Sequence, residues 1–290
     1  MMMFFKAHGL GNDYLALDTD GLPFGLTPPA VRLLCDRNYG VGSDGVLARV
    51  GSVNADFGLR IFNPDGSEAE KSGNGLRIFA AYLLEIGAVV VGAPFTVETP
   101  GGTVTMSILE RLPASLMVEV EMGTASFRSS DVGLIGPDRE IDEEMLELES
   151  GERLTIHTVS MGNPHCVIFF DELDPEELRS VAPRVSTHPW FERGTNVQFA
   201  RAVEPGAVEA LVWERGAGET LASGSSACAV AAAAMRQGLV SERSIEVRMP
   251  GGTLRVTIDE EWNVILLGPV EDVFTGTLTG GMLQRLQELS

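Results

Sequence analysis

Lysine is almost absent from this chain. Only Lys6 and Lys71 occur in 290 residues, and arginine completes a basic set of 21 against 41 acidic residues, a formal net charge of −20. Such a chain repels phosphate backbones and anionic lipid, so no nucleic-acid or membrane role is expected. Acidity of this kind otherwise indicates no more than solubility. Cysteine is scarce too: Cys35, Cys166 and Cys228 form an odd set without CxxC spacing. Neither a disulfide framework nor a zinc site is expected, and each thiol sits in an apolar stretch where it behaves as a small buried hydrophobe. No apolar run reaches membrane-spanning length. The opening MMMFFKAHGL has too short an apolar stretch, and its charge in the wrong order, for a secretory signal. A cytoplasmic location is expected.

Motifs for bound groups are equally thin. No GxxxxGK[ST] phosphate loop occurs, and His8, His157, His165 and His188 lack metal-ligand spacing, so neither a metal nor a cofactor is expected. Gly40-Val-Gly42-Ser-Asp-Gly45 fits the GxGxxG dinucleotide pattern. It follows a helical segment and precedes the strand-like VLARV, however, the reverse of the order that a dinucleotide site needs.

What the chain does have is internal repetition. EKSGNGL at residues 70–76 and LASGSSA at 221–227 each place a serine and a glycine ahead of a long apolar stretch, 151 residues apart. The same offset lays Gly11-Asn12 on Gly162-Asn163, and with a one-residue slip Pro100-Gly101-Gly102 on Pro250-Gly251-Gly252. Ordered markers at so long a period point to two homologous domains, about 1–130 and 150–274, the C-terminal tail being free to return to the first. The acidic DREIDEEMLELESGER between them reads as a solvated connector.

Alternating runs such as YLALD, FGLRIF, SLMVEVEM, HCVIFF, VEALVW and NVILLG indicate many strands. TPPAVRLLCDRNYG reads as a helix capped by Thr27, with Pro28 in its first turn and Gly40 as its stop. LRIFAAYLLEIG and ACAVAAAAMRQG are apolar on nearly every face, which for segments this short means burial inside a domain. The pattern predicts an α+β fold: two pseudo-symmetric domains, each an antiparallel sheet closed around a central helix.

A serine before Gly-x-Gly at a helix start is most simply a cap. A cap alone does not require the glycines, which free successive backbone N–H groups to converge on an anion at the positive end of a helix. Two such helix starts facing one another would hold a carboxylate between them, with one serine on each side.

HGLGNDY, FNPDGSE with SGNG, SMGNPHCV, TNVQF, and WERGAGET with ASGSSACA, in that order, resemble the diaminopimelate epimerase family over nearly the whole chain to about residue 274. The resemblance implies a site between the two domains and inversion of the diaminopimelate α-carbon, LL to meso, without a cofactor, in lysine and cell-wall precursor synthesis. It also makes a homodimer the candidate assembly. Moving a proton across a stereocentre takes a base on one face and an acid on the other, which suits paired groups on paired domains.

Carried over residue by residue, the family's two thiol acid/base groups fall at Ser72 and Ser223, with His165 and Glu214 as the pair that tunes them. Asn12, Gly73, Asn74, Gly224 and Ser225 fall around the reacting amino-acid end, and Asn63, Asn163, Asn196, Glu214 and Arg215 among the other substrate contacts. Asn12 and Asn63 beside glycine or proline also suit simple turns, His165 a structural role, and Glu214 with Arg215 a surface ion pair. Serine at both thiol positions departs from the family, as do Gly45, where some members carry glutamine, Ser226 in place of glycine, and Lys71 ahead of Ser72. An alcohol is a far weaker acid than a thiol, so the expected turnover is slow unless the site activates the pair. A racemase or dehydratase using the serines on another amino acid, and a non-catalytic amino-acid-binding relic, are the alternatives.

Overall fold

Two-residue periodicity dominates the chain, and the computed structural model, which describes residues 3–290, is accordingly built mostly of strands. It divides into two units, Met1–Val120 with Gly268–Ser290, and Glu121–Leu267.

The first unit opens with a hairpin of β1 (Met3–Gly9) and β2 (Asn12–Asp18), then α1 (Pro28–Cys35) and a second hairpin of β3 (Val46–Val50) and β4 (Phe57–Phe62). A two-residue β5 (Glu68–Ala69) leads into α2 (Gly73–Glu85), followed by β6 (Pro94–Thr99), β7 (Gly102–Arg111) and β8 (Leu116–Thr124). The second unit repeats the order after an extra strand, β9 (Glu144–Glu147): β10 (Arg153–Ser160), β11 (Pro164–Phe169), α3 (Pro175–Ser186), β12 (Asn196–Glu204), β13 (Ala207–Glu214), β14 (Gly218–Thr220), α4 (Gly224–Arg236), β15 (Ser244–Met249) and β16 (Gly252–Ile258). β17 (Asn263–Thr277) carries the chain back into the first unit, which ends with α5 (Gly280–Glu288).

Pairing repeats along with order. β2–β3 and β4–β6 are parallel in the first unit, as are β11–β12 and β13–β15 in the second, while the hairpins are antiparallel. The parallel pairs arise wherever a helix intervenes, because a crossover returns the chain in its original direction. Each unit is thus an α+β arrangement of mixed, mainly antiparallel strands around a central helix: α2 packs on β1, β2 and β7, and α4 on β10 to β13, β15 and β16. Both central helices are buried from their first residue through Leu83 and Ala234 respectively, as their mainly apolar composition requires, with Asn74, Arg77, Ser225 and Ser226 as the buried polar exceptions.

Three sequence expectations change. α1 has Thr27 as its cap, Oγ1 accepting from Ala30 N, but ends at Cys35, well before Gly40. The amides of Val41 and Gly42 return to Leu34 O and that of Ser43 to Cys35 O, so the loop closes α1 and its N–H groups are spent there. α3 was not singled out from the sequence, although Asp174 caps it, Pro175 opens it and Leu178, Val181, Ala182 and Val185 form its buried stripe. The acidic connector is in fact part of the second unit's core. Its alternation turns Leu146 and Leu148 inward with Ile141, against Leu154, Ile156 and α3, and leaves the glutamates outside.

In the first unit an ion network ties the first hairpin to the loop after α1. Asp13 meets Lys6 at 2.8 Å and Arg37 at 2.7 Å, Arg37 also meets Asp44 at 2.7 Å, and Lys6 donates to Gly42 O at 2.6 Å. Burial pushes the Asp13 carboxyl up, but Arg37 and Lys6 outweigh it and hold the group below the usual carboxylate range. A depressed folded value stabilises the fold above the ordinary carboxylate range, and that contribution is lost as pH falls through it.

Two outcomes are expected. Leu146→Ala lowers stability by about 2–5 kcal/mol while Glu147→Ala, at an exposed pair with Arg153, changes it by less than about 0.5 kcal/mol, as read from urea midpoints. Asp13→Asn costs roughly 1.5–3 kcal/mol at neutral pH and flattens the loss of stability on acidification, measured by urea titration from pH 7 to 3.

Candidate functional site

In the first unit the site residues gather at the start of α2. Ser72 is its N-cap, extended at φ −141° and ψ 118°, and its Oγ accepts from Gly75 N at 3.1 Å. The Tyr14 hydroxyl on β2 lies 3.5 Å from the same oxygen. Gly73 and Asn74 fill the buried first turn. Asn74 Nδ2 donates to Asn12 Oδ1 at 3.1 Å, and Asn12 Nδ2 donates to Asp44 Oδ2 at 3.1 Å. A carboxylate accepts only, so Asp44 fixes which way the Asn12 amide faces. Below them Arg77, fully buried in the helix, donates to Asn74 Oδ1 at 2.8 Å and Gly73 O at 3.1 Å. A buried guanidinium needs such acceptors, and the space it takes explains Gly9, where a Cβ would stand 2.9 Å from Arg77 Nη2.

Gly45 has a local cause as well. A Cβ there would lie 2.6 Å from the Tyr14 ring and 2.5 Å from Phe62 O, so the tyrosine occupies the room that a side chain at position 45 would need. Asn63 stands apart from this cluster. It forms the turn between β4 and β5, its backbone N–H donating to Ser67 O at 2.8 Å and its Nδ2 to Ser67 Oγ at 3.0 Å.

The second unit builds the corresponding group at the start of α4. Ser223 caps the helix at φ −143° and ψ 129°, close to the values at Ser72, and its Oγ accepts from Ser226 N at 3.4 Å. Gly224 and Ser225 lie buried in the first turn. Asn163 sits in the β10–β11 hairpin after Gly162, whose φ of 88° matches that of Gly11 before Asn12. Asn163 Oδ1 lies 3.0 Å from His165 Nε2, and Gln198 Nε2 lies 3.1 Å from His165 Nδ1. Both ring nitrogens are therefore occupied. Burial, reinforced by the charge of Arg215, pushes His165 down to about 3, so the imidazole is neutral at physiological pH.

Asn196 is held at both ends of its amide: Nδ2 donates to Pro164 O at 2.9 Å and Oδ1 accepts from Arg215 N at 2.9 Å. It thereby fastens β11 to the end of β13, where half-buried Glu214 and exposed Arg215 lie. The Arg215 guanidinium donates to Arg193 O at 2.9 Å.

The sequence reading passed over Tyr14, Asp44, Arg77 and Gln198. Signals were present: Gln198 is a polar residue in the apolar strand NVQFA, and Arg77 is a charge inside a helix otherwise apolar all round. All three cysteines are buried, and burial pushes the Cys35 thiol up to about 11 and Cys166 higher still, which leaves these two inert as nucleophiles. Among the described residues no group of three or more His, Cys, Asp or Glu side chains is placed to hold a metal.

The arrangement is thus two capped helix starts, each with small residues in its first turn and asparagine amides nearby. Comparison with known proteins identifies the family. The diaminopimelate epimerase family pattern matches residues 4–128 and 157–273. Diaminopimelate epimerase 2 of Nostoc sp. is 45% identical over 279 residues, covering 96% of each chain. The diaminopimelate epimerase of Pelotomaculum thermopropionicum is 41% identical over 278 residues, 95% of this chain and 98% of the other. Among solved structures, a hydroxyproline epimerase from Agrobacterium vitis with bound trans-4-hydroxy-L-proline superposes with a TM-score of 0.71 at 15% identity, over 99% of this chain and 98% of that one. A Bacillus anthracis protein of the PhzF phenazine-biosynthesis family gives 0.64 at 18% identity, over 96% and 99%, a likeness of fold. The chain belongs to the diaminopimelate epimerase family and is an isomerase of that family.

Proposed function

We propose that the protein interconverts LL- and meso-diaminopimelate by moving the α-proton, without a cofactor, with Ser72 acting on one face of the carbon and Ser223 on the other. The observation that carries the proposal is the matched pair of helix starts. Both serines have the same extended backbone, both oxygens accept a first-turn N–H, and both stand at the positive end of a buried helix. Negative charge developing on a serine oxygen, or on a carboxylate beside it, is stabilised in that position.

Around each serine the amides supply the means of holding an amino acid. Asn12 and Asn74 at the start of α2, and Asn163, linked to Ser223 through His165, Gln198 and Ser226, offer fixed donors and acceptors, and Gly73 and Gly224 add no side chain to the first turns. Glu214 and Arg215 at the end of β13 suit the distal amino-acid head that distinguishes diaminopimelate from a small cyclic substrate. His165, neutral and hydrogen-bonded at both nitrogens, positions Asn163 in this scheme instead of shuttling a proton. The Tyr14 hydroxyl beside Ser72 Oγ compensates in part for the missing thiol, since a second donor at that oxygen lowers the cost of its charge. The repeated order of elements, the paired turns and the paired caps support an origin by duplication, and the cytoplasm, where free diaminopimelate would be met, is the proposed location.

In D₂O the parent protein exchanges the α-proton of LL- and meso-diaminopimelate slowly, followed by proton NMR. The Ser72→Cys/Ser223→Cys double variant exchanges it faster by roughly 10²-fold or more, the scale of a well-matched acid–base pair. Exchange by neither protein refutes the substrate, and exchange by the double variant alone identifies the parent as a binding protein. Tyr14→Phe slows the parent's exchange by up to about tenfold, the worth of one hydrogen bond, and leaves the urea midpoint nearly unchanged.

A further inference from the structure

We propose that Gln198 sets the direction in which Asn163 presents its amide to a ligand, by fixing which ring nitrogen of His165 carries the proton. The placement follows from strand register. His165 on β11 lies opposite Asn196 on the parallel β12, and two-residue alternation puts Gln198 on the same face as Asn196. The first turn of α4 packs over that face and contributes Ser226. His165, Gln198 and Ser226 are all wholly buried, so water cannot exchange for any of these contacts.

The Gln198 amide nitrogen has two hydrogens and two acceptors in reach, His165 Nδ1 at 3.1 Å and Ser226 Oγ at 3.0 Å. An amide NH₂ group donates only, so Nδ1 must bring a lone pair and the neutral ring keeps its proton on Nε2. Nε2–H then donates to Asn163 Oδ1 at 3.0 Å. With its oxygen turned to His165, half-buried Asn163 presents its two Nδ2 hydrogens to whatever lies beyond.

Rotating the Gln198 amide by half a turn reverses every step, but at higher cost. As it stands, the one polar atom of the Gln198, His165 and Ser226 side chains left without a partner is Gln198 Oε1. After rotation Oε1 would accept from Nδ1–H and from Ser226, and both hydrogens of a buried NH₂ group would lack acceptors. Buried donors without acceptors are rarer in proteins than under-used carbonyl oxygens, so the first arrangement is favoured.

Ser226 extends the consequence to the cap. Its Oγ receives Gln198 while its N–H is donated to Ser223 Oγ, so a single residue connects the His165 relay to the start of α4. A site whose asparagine turns its NH₂ group outward and its oxygen toward His165 favours an acceptor, a carboxylate oxygen, over an ammonium group. This last step rests on the reading of Asn163 as a substrate contact given under the proposed function, whereas the proton's location does not.

Long-range proton–nitrogen correlation spectra of the ¹⁵N-histidine-labelled protein decide the matter, His165 being assigned by its absence in His165→Phe. The parent shows protonated Nε2 and bare Nδ1. Asn163→Asp, which still accepts from Nε2–H, leaves that pattern in place, and Gln198→Glu, which can only accept, puts a proton on Nδ1. A parent spectrum with protonated Nδ1, or an Asn163→Asp spectrum in which the proton changes nitrogen, overturns the proposal, and both measurements stand even if Gln198→Glu does not fold. Calorimetry with meso-diaminopimelate should show binding weakened at least about tenfold in Asn163→Asp. The expected spectra with no binding by the parent would uphold the proton assignment and refute the substrate reading instead.

Discussion

Each central helix begins with a buried first turn, and a serine oxygen meets one of its N–H groups. Four such groups lack partners at any helix start, and leaving one unsatisfied in a buried place costs about 1–3 kcal/mol. Ser72 and Ser223 each supply an acceptor, to Gly75 and Ser226 respectively. The cap and the candidate reacting group are therefore one atom. The structural role does not compete with the chemical one: an oxygen that already receives a backbone N–H at the positive end of a helix is also one at which the cost of developing negative charge is reduced.

The rest of the framework holds polar groups in orientation around those oxygens. In the first unit the carboxylates of Asp13 and Asp44, joined through Arg37, fix the first hairpin to the loop after α1, and Asp44 in turn orients Asn12. In the second unit a histidine and two amides do comparable work without any charge, through His165, Gln198 and Asn196. The two units thus share their element order and their caps while differing in the chemistry that positions their asparagines. A tyrosine stands beside one serine, and no counterpart to it accompanies the buried Ser223 among the hydrogen bonds described above.

Most of the strands, both central helices and the paired glycine turns were legible in the sequence because each depends on local pattern: alternation, unbroken apolar composition, or a glycine at positive φ. The errors came where long-range packing decides. DREIDEEMLELESGER looks solvated because its charges outnumber its leucines, yet in a strand the side chains alternate, and Leu146 and Leu148 need only one face on which to be buried. The helix at Thr27 was read too long because Gly40 looked like its stop, whereas Asp36 ends it in an extended conformation and the glycine serves the loop that folds back. Family likeness marked His165 and Asn163, but Gln198 lies two residues beyond Asn196 and 33 beyond His165, and only strand register reveals that it faces the histidine.

How far the site can activate a serine is set by magnitudes. A thiol with a pKa near 8.5 needs a shift of only ~1.5 to be half ionised at pH 7, or ~2 kcal/mol. That lies within reach of one helix end, which supplies up to ~2 kcal/mol in a partly buried place. An alcohol close to water's ~15.7 needs a shift of nearly ~9, or ~12 kcal/mol. A helix end and a hydrogen bond to the charged oxygen, worth at most about 3 kcal/mol, leave a deficit of several kcal/mol. A standing alkoxide at Ser72 or Ser223 is therefore ruled out on these terms, and neutral His165, with both nitrogens engaged, is no reservoir for the proton. In the proposed reaction the serine that gives its proton to the carbon is left with the O–H electron pair as negative charge on its oxygen, and this deficit adds to the barrier of that step. Such a barrier would make the proposed reaction slow, and in that proposal the amides around the helix starts have the task of holding the carbon close enough for the transfer to occur.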